Sequence, residues 1–561
     1  MERTQTSVLI VGAGPTGLTA AMILSRLGIA TAVIERRAGP QRAPAAHVVN
    51  ARSFEIWRQA GVDLQPFLAA ASDPRDAGSV YWVTRLGGEV LGRLPFERQG
   101  DEVLAVTPTP LRNLSQHRLE PLLLDQLNHA SGRVRFRCQW ECARQDDSGV
   151  TSNVRDLDTG QLQEIRSDYV IAADGAGSAV RKSLGIRPIG PDRLQSFVMI
   201  HFAADLRPLV GGCPGVIYWV TDPSCMGTFV AHDIDREWVF MHAFDPEAEA
   251  LDRYDHARCE AVVRGALERD DVPLAIRTVS SWVMTCQTAD RYHDGRIFLA
   301  GDAAHRFPPT GGLGLNTGVQ DAHNLSWKIA AVVQGWVDAR VLDTYEEERQ
   351  PIARYNAEQS LQNAARLFEV PQAFELGDDP GVARERFRAL LTDPDRRRAV
   401  AASIERQAEH FDMLGLQLGF AYEEGALVSD GTARPVSANP VREFTPSSRP
   451  GSRLPHGWVE SGTGRISTLD LIAPDRFTLL VGPRGAAWLA AAAGMNCVRP
   501  VQIGSDAIDP DDWWSLTAEM EPDGALLVRP DQHVAFRACR GVADAPHTLR
   551  HALRLIGART V

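Results

Sequence analysis

The 561 residues exceed what one hydrophobic core organises, so two or three domains are expected. Hydrophobic residues make up 44% and charged residues 23%, a balance ordinary for a globular chain and foreign to long disordered stretches. Asp and Glu (71) outnumber Lys and Arg (59), and the net charge of −12 argues against nucleic acid or an anionic membrane as main partner.

Met1–Ser7 is short and polar, and the apolar run Val8–Val11 stops at a glycine motif, so no signal peptide is expected. No run approaches the roughly 20 apolar residues of a membrane helix; the alanine-rich Ala486–Gly494 is too short. The eight cysteines are scattered, and Cys138 and Cys142 fit no common zinc or redox spacing. Reduced thiols, no metal and a cytoplasmic location are the expectation.

Ser7–Val11 reads as a short, continuous, buried strand. Gly12-Ala13-Gly14-Pro15-Thr16-Gly17 follows at once, then a helix over Leu18–Leu27 and a second strand, Thr31–Ile34, ending in Glu35. Each part has a physical job: Gly12 permits the tight turn, Gly14 lets backbone approach a pyrophosphate, and Gly17 lets helix and strand pack closely. The helix N-terminus offers unpaired N–H groups to phosphates, and Glu35 can accept from ribose hydroxyls. Glu35 followed by Arg36 leaves FAD and NAD both open.

Two further strands run into glycine loops. Tyr169–Ala173 leads into Asp174-Gly175-Ala176-Gly177-Ser178 and on to Arg181. Arg296–Ala300 leads into Gly301-Asp302, then Pro308-Pro309 and Gly311-Gly312-Leu313-Gly314-Leu315-Asn316, and Gly318–Trp336 reads as a long amphipathic helix. A carboxylate at a strand end suits a polyol hydroxyl, and a glycine loop opening a helix presents N–H groups to an electron-rich ring.

Together the three motifs resemble the class A flavoprotein monooxygenases, the family of p-hydroxybenzoate hydroxylase and phenol hydroxylase, over roughly residues 5–370. The resemblance implies FAD as cofactor, NAD(P)H as transient co-substrate, and contacts to FAD from Gly12, Gly14, Thr16, Gly17, Glu35, Arg36, Asp174, Asp302, Pro309 and the loop Gly312, Gly314, Leu315, Asn316. Gln116, in Leu114-Ser115-Gln116-His117-Arg118, resembles the residue opening the family's helix beneath the flavin, and Arg52 falls where a flavin-contacting arginine is found. No second GxGxxG follows a strand, which fits a family whose NAD(P)H has no fold of its own.

In this family reduced flavin and O2 form a C4a-hydroperoxide that attacks an electron-rich ring. A phenol, with pKa about 10, reacts better as phenolate, so a nearby base helps. Ala45-Ala46-His47-Val48-Val49-Asn50-Ala51-Arg52 resembles the 2,4-dichlorophenol 6-monooxygenase branch, which makes His47 the candidate base. Arg193–Asp245 reads as antiparallel strands, among them Val216–Val220, Thr228–Ala231 and Trp238–His242; the resemblance implies that this sheet roofs the substrate, which makes Trp219, Met226, Phe229 and Trp238 the candidate lining. No arginine stands out as a carboxylate clamp, so a phenol without a carboxylate is favoured.

Pro435–Ser452 reads as a linker. Beyond it Phe477–Val481, Ala486–Ala493, Val501–Ile503, Gly524–Val528, His533–Ala535 and His547–Ile556 alternate as strands and helices, resembling the thioredoxin-like tail of phenol hydroxylase relatives, without CxxC. A structural or dimer-forming role is implied.

The expected fold is therefore α/β (α+β). A Rossmann-like FAD-binding domain (1–80, 100–185, 285–370) is interleaved with an antiparallel-sheet substrate domain (81–99, 186–284). A helical connection (371–434), the linker (435–452) and the thioredoxin-like domain (453–561) follow. The expected partners are a small aromatic substrate and O2, with a homodimer as the assembly. Epoxidation, Baeyer–Villiger or decarboxylative oxygenation and antibiotic inactivation are alternatives on one scaffold, and a non-catalytic flavin-binding scaffold is the remote one.

Overall fold

The computed structural model describes residues 3–377, 379–462 and 464–559. The strand Arg3–Val11, buried on both faces over Val8–Val11, pairs in parallel with Leu162–Ala172 on one side and Thr31–Ile34 on the other. Ile297–Leu299 continues the parallel sheet beyond Leu162–Ala172, and Val134–Arg135 continues it beyond Thr31–Ile34. Registers align the strand ends: Val11 lies opposite both Ile34 and Ala172, and Ala172 opposite Leu299. All three glycine loops therefore leave one carboxyl edge of the sheet, where open α/β sheets bind ligands.

The helix Pro15–Arg26 packs beside Leu313–Val333. Close approach is possible because Thr16 lies against two glycines: a Cβ on Gly301 or Gly318 would come within 2.6 or 2.3 Å of the Thr16 hydroxyl. The second of these helices starts five residues earlier than the sequence reading placed it. Gly312, in the left-handed region at φ 63°, turns the chain so that Leu313, Gly314, Leu315 and Asn316 already form its first turn.

A seven-stranded sheet stands over this edge, in the order Ala275–Met284, Gln195–Ala203, Glu237–Ala243, Gly227–Asp233, Ile217–Val220, Ser79–Val83, Val90–Pro95. It is mixed rather than purely antiparallel, because Ser79–Val83 arrives from a distant part of the chain and pairs in parallel with Ile217–Val220. Strand alternation separates two faces. Tyr81, Tyr218, Phe229, Trp238 and Phe240 pack on one side with Cys259 and Val263 of the helix His256–Gly265. Val80, Trp82 and Trp219 pack on the other with Val48, Phe96 and Phe411. The helices Pro380–Thr392 and Pro394–Glu405 cover the far edge of that second face through Phe387, Leu390, Val400 and Ile404.

The tail holds a four-stranded sheet in the order Val498–Gln502, Phe477–Val481, Ala525–Val528, Val534–Ala538, the first pair parallel and the others antiparallel. Ala486–Ala492 and Ala545–Ile556 pack together on it, a thioredoxin-like arrangement. Residues 435–452 form neither helix nor strand, yet they are stitched to the tail: Ser448 Oγ donates to Ala518 O at 2.5 Å and Gly451 N to Val534 O at 2.7 Å.

Candidate active site

The groove at the carboxyl edge is built by glycines with two different duties. Gly12 and Gly17 are packing glycines: a Cβ would lie 2.2 Å from Ala173 O and 2.0 Å from Gly12 O, respectively. Gly14, Gly175, Gly177 and Gly314 face open space, the nearest atom to a Cβ on Gly14 being Glu120 Oε1 at 3.9 Å. The helices beginning at Pro15 and Leu313 both lack a side-chain cap, so their first N–H groups remain available to an anion.

Carboxylates line this groove. Glu35 accepts from Ala13 N (2.9 Å) and Arg37 N (2.8 Å). Burial works against its charge, but those N–H groups and the Arg37 guanidinium hold its carboxyl below the ordinary value. Arg36 is exposed, and it is Arg37 that bridges Glu35 and the buried Glu120. Gln116 donates to Glu120 Oε1 at 2.8 Å, which brings it beside Gly14. Asp174 accepts from Ser178 Oγ (2.5 Å) and Val180 N (3.2 Å), while Arg181 reaches Ala303 O (2.9 Å) and so ties the second loop to the third. Asp302 is exposed by area although protein surrounds it, as befits a group lining a deep groove, and this enclosure pushes its carboxyl up. The loop bearing it is set by Asp321, which accepts from Gly301 N (3.1 Å) and Arg349 (2.9 Å) and pairs with His305 (2.6 Å).

Two cofactor assignments need correction. Arg52 is fully buried and spends its guanidinium on Glu55 (3.0 Å), Gln532 (2.6 Å) and Asp531 O (2.9 Å) in the joint with the tail. Asn316 is buried and commits its amide to Val48 O (2.9 Å), Gly312 O (2.7 Å), Asn50 N (3.0 Å) and Ser53 Oγ (2.8 Å). It clamps the loop opening the long helix onto the His47 segment instead of pointing at a ring. Pro309 and Leu315 stay exposed and half-buried at the same loop.

His47 lies one residue from that clamp, and Val48 sits 2.6 Å from where a Cβ on Gly312 would be. A chain of amides sets its tautomer. Gln99 Nε2 faces the carbonyls of Ala77 (3.0 Å) and Phe96 (2.9 Å), which only accept; its Oε1 then accepts from Asn113 Nδ2 (3.1 Å). Asn113 Oδ1 is left to accept from His47 Nδ1 (3.0 Å), so the proton is on Nδ1 and the lone pair on Nε2. Burial lowers the His47 pKa, partly offset by Asn113, so the ring is neutral at neutral pH. The residues of this chain lie far apart in sequence, and the only local signal was the β-pairing potential of Val48-Val49, which pairs with Arg112-Asn113.

Aromatic rings extend from His47: Phe96 stacks at 6.3 Å, Phe411 follows at 6.2 Å from Phe96, and Trp219 lies 5.5 Å from Phe411 and 4.5 Å from Trp82. Of the expected lining, Trp219 stands on this face. Phe229 and Trp238 are corrected: they are fully buried on the opposite face, because alternation along their strands turns them away. Met226 lies 41% exposed just before the strand Gly227–Asp233. His232, edge-on to His47 at 5.8 Å and with Nδ1 unpartnered, joins the pocket face instead, and with Arg118 it lines a cleft of about 540 Å³.

Comparisons with known proteins agree with this geometry. The FAD binding domain family matches residues 5–360, and the aromatic-ring hydroxylase C-terminal family matches residues 447–559. The chain is similar to a 2,4-dichlorophenol 6-monooxygenase of Delftia acidovorans, with 33% identity covering 98% of both chains. It is also similar to a tetracenomycin A2 monooxygenase-dioxygenase of Streptomyces glaucescens, with 33% identity covering 100% of this chain and 98% of the relative. Among solved structures, the flavin-dependent monooxygenase PieE in complex with FAD and substrate superposes with a TM-score of 0.92 at 35% identity, covering 99% of this chain and all of that one. The open glycines, uncapped helix N-termini and groove carboxylates fit FAD, and the chain belongs to the FAD-dependent aromatic-ring hydroxylases, monooxygenases for which an NAD(P)H co-substrate is typical.

Proposed function

We propose that the substrate is a phenol and that His47 Nε2 takes the proton of its hydroxyl. The observation that carries this reading is the amide chain that leaves Nε2 open one residue from the clamp on the flavin loop. Bound FAD supplies the oxygen-transfer chemistry, with NAD(P)H as reductant and O2 as oxidant; one oxygen enters the ring and the other leaves as water. We assign contacts to FAD to Gly14, Thr16, Glu35, Arg36, Gln116, Asp174, Asp302, Pro309, Gly312, Gly314 and Leu315. The N–H groups of Leu313, Gly314 and Leu315 at a helix start would favour negative charge on a flavin ring held there.

The aromatic wall from His47 to Trp219 accepts a planar ring by stacking and excludes water from it. A neutral histidine is suited to the task, because it accepts a proton without first losing one. The free-thiol state of all eight cysteines fits a reducing compartment, which supports a cytoplasmic location. No helix among the described residues is long and apolar enough to cross a membrane.

The test uses purified protein: its visible spectrum, then NADH and NADPH oxidation against a panel of phenols, with product masses. A flavin spectrum, oxidation stimulated by a phenol and a gain of one oxygen are expected. Oxidation that no phenol stimulates, or a product without added oxygen, overturns the reading.

A further inference from the structure

Glu97 is a buried acid for which the chemistry above has no use. It follows the strand Val90–Pro95 and Phe96, and its backbone is in the left-handed region at φ 53°, a conformation disfavoured for glutamate. Glu97 N donates to Phe411 O at 2.6 Å, which holds the turn. The side chain is anchored on one oxygen only: Oε2 accepts from Met413 N (3.2 Å) and Gln417 Nε2 (3.1 Å), while Oε1 meets no donor among the described residues. The adjacent cation, Arg98, is committed to Asp412 at 2.8 and 3.0 Å.

Three neighbours of Glu97 tie it to the groups around His47 and to the third glycine loop. Phe96, before it, stacks on His47. Phe411, its backbone partner, packs on Trp219. Met413, the donor to Oε2, reaches the flavin loop, its methyl lying 2.7 Å from where a Cβ on Gly311 would be. Glu97 is half-buried, so protein does not cover all of it. Burial, with the like charge of Asp412 adding to it, outweighs Met413 N, Gln417 and Arg98 and pushes its carboxyl up to about 7, and with Oε2 already accepting twice the proton belongs on Oε1.

We propose that Glu97 is a specificity-determining residue, whose Oε1 donates a hydrogen bond to a carbonyl oxygen on the substrate and thereby selects carbonyl-bearing phenols over bare ones. This rests on the reading of the pocket as a phenol site. A site built to hydrogen-bond a substrate oxygen discriminates against the analogue lacking it, because the buried polar group is then left unpaired.

The probes are 3′-hydroxyacetophenone and 3-ethylphenol, which differ in shape by little more than the carbonyl. Dissociation constants from flavin absorbance and kcat/KM from product formation are measured for the parent holoenzyme, Glu97→Gln, Glu97→Leu and His47→Ala. The parent is expected to favour the ketone about tenfold, the worth of one such hydrogen bond. Glu97→Gln, which keeps a donor, retains most of that preference, and Glu97→Leu loses it mainly through KM. The parent's preference declines as pH rises through about 7, and that of Glu97→Gln does not. His47→Ala slows both compounds alike and leaves the binding preference intact. Equal losses for both compounds in Glu97→Leu, or a preference that survives it, overturn the assignment. Turnover of neither compound by the parent overturns the phenol reading and this proposal together, whereas turnover of both without preference overturns this proposal alone.

Discussion

Two buried polar clusters in this molecule are opposites. At the joint with the tail, every carboxylate oxygen has a partner. Glu348 accepts from Arg529 (2.7 and 2.7 Å), Lys328 (2.8 Å), Asn324 (2.6 Å) and Ala426 N (2.8 Å). Glu55 accepts from Arg52 (3.0 Å), Arg453 (2.9 and 2.5 Å) and Thr107 (2.6 Å). Burial opposes both charges, but the arginines prevail and hold both carboxyls at about 2. In the pocket, by contrast, His47 Nε2, Glu97 Oε1 and His232 Nδ1 are each left open. Arg52 Nε, Arg453 Nη1, Asn324 Oδ1 and His533 Nε2 at the joint lack partners among the described residues, so what separates the two clusters is their charge: carboxylates paired with arginines serve architecture, and open groups without a counter-charge are free to meet a ligand.

The largest expected effect breaks the paired side. Arg529→Met takes the chief counter-charge from the buried Glu348 and Asp531 and is expected to cost about 3–5 kcal/mol, read from the denaturant midpoint; a loss below about 1 kcal/mol removes the distinction between the clusters. The same joint has a pH signature. Glu55 and Glu348 have depressed folded pKa values, so their stabilisation is full above the unfolded value of 4.5 and fades as pH falls toward about 2. Melting temperature against pH checks it, and Glu55→Gln is expected to shrink that dependence.

The open side is tested by function at unchanged stability. His47→Ala is expected to lower kcat/KM for hydroxylation about 10²-fold at neutral pH, and more than it lowers NAD(P)H oxidation. Burial puts the parent's acid limb below pH 6.5, since the base form exists above the depressed pKa. The variant instead gains rate as pH climbs toward the phenol pKa of about 10; coupling that matches the parent across pH contradicts the base assignment. Gly14→Ala meets nothing closer than 3.9 Å, so it is expected to weaken FAD about tenfold with little change in melting, whereas Gly12→Ala and Gly17→Ala collide with backbone and lose stability. The smallest effect is Asn113→Asp: a carboxylate at 3.0 Å from Nδ1 raises the His47 pKa, and the acid limb is expected to move up by about one unit while the plateau rate holds.

Legibility followed sequence distance. Strand, glycine loop and helix are contiguous, and each glycine's duty follows from local geometry, so the three motifs were readable as nucleotide-binding loops, while the choice of FAD over NAD came from their resemblance to a known family. The roof strands were readable as strands, but alternation by two does not say which face meets the flavin, and Phe229 and Trp238 were placed on the wrong side. Arg52 looked like a flavin contact until folding brought Gln532 and Asp531 to it from the far end of the chain. The tail looked detachable because nothing local marks Arg453 and Arg529 as partners of Glu55 and Glu348.

The amino-acid order alone determined the three strand–glycine-loop units and, through the family they resemble, the FAD chemistry and the candidacy of His47. Tertiary structure alone decided which nitrogen of His47 is free, which tryptophan faces the pocket, and that Glu97 stands beside it with one oxygen unspent. The physical reason is that local propensity governs backbone turns and helix starts, whereas the protonation, orientation and exposure of a side chain depend on groups that only folding brings within a few ångströms.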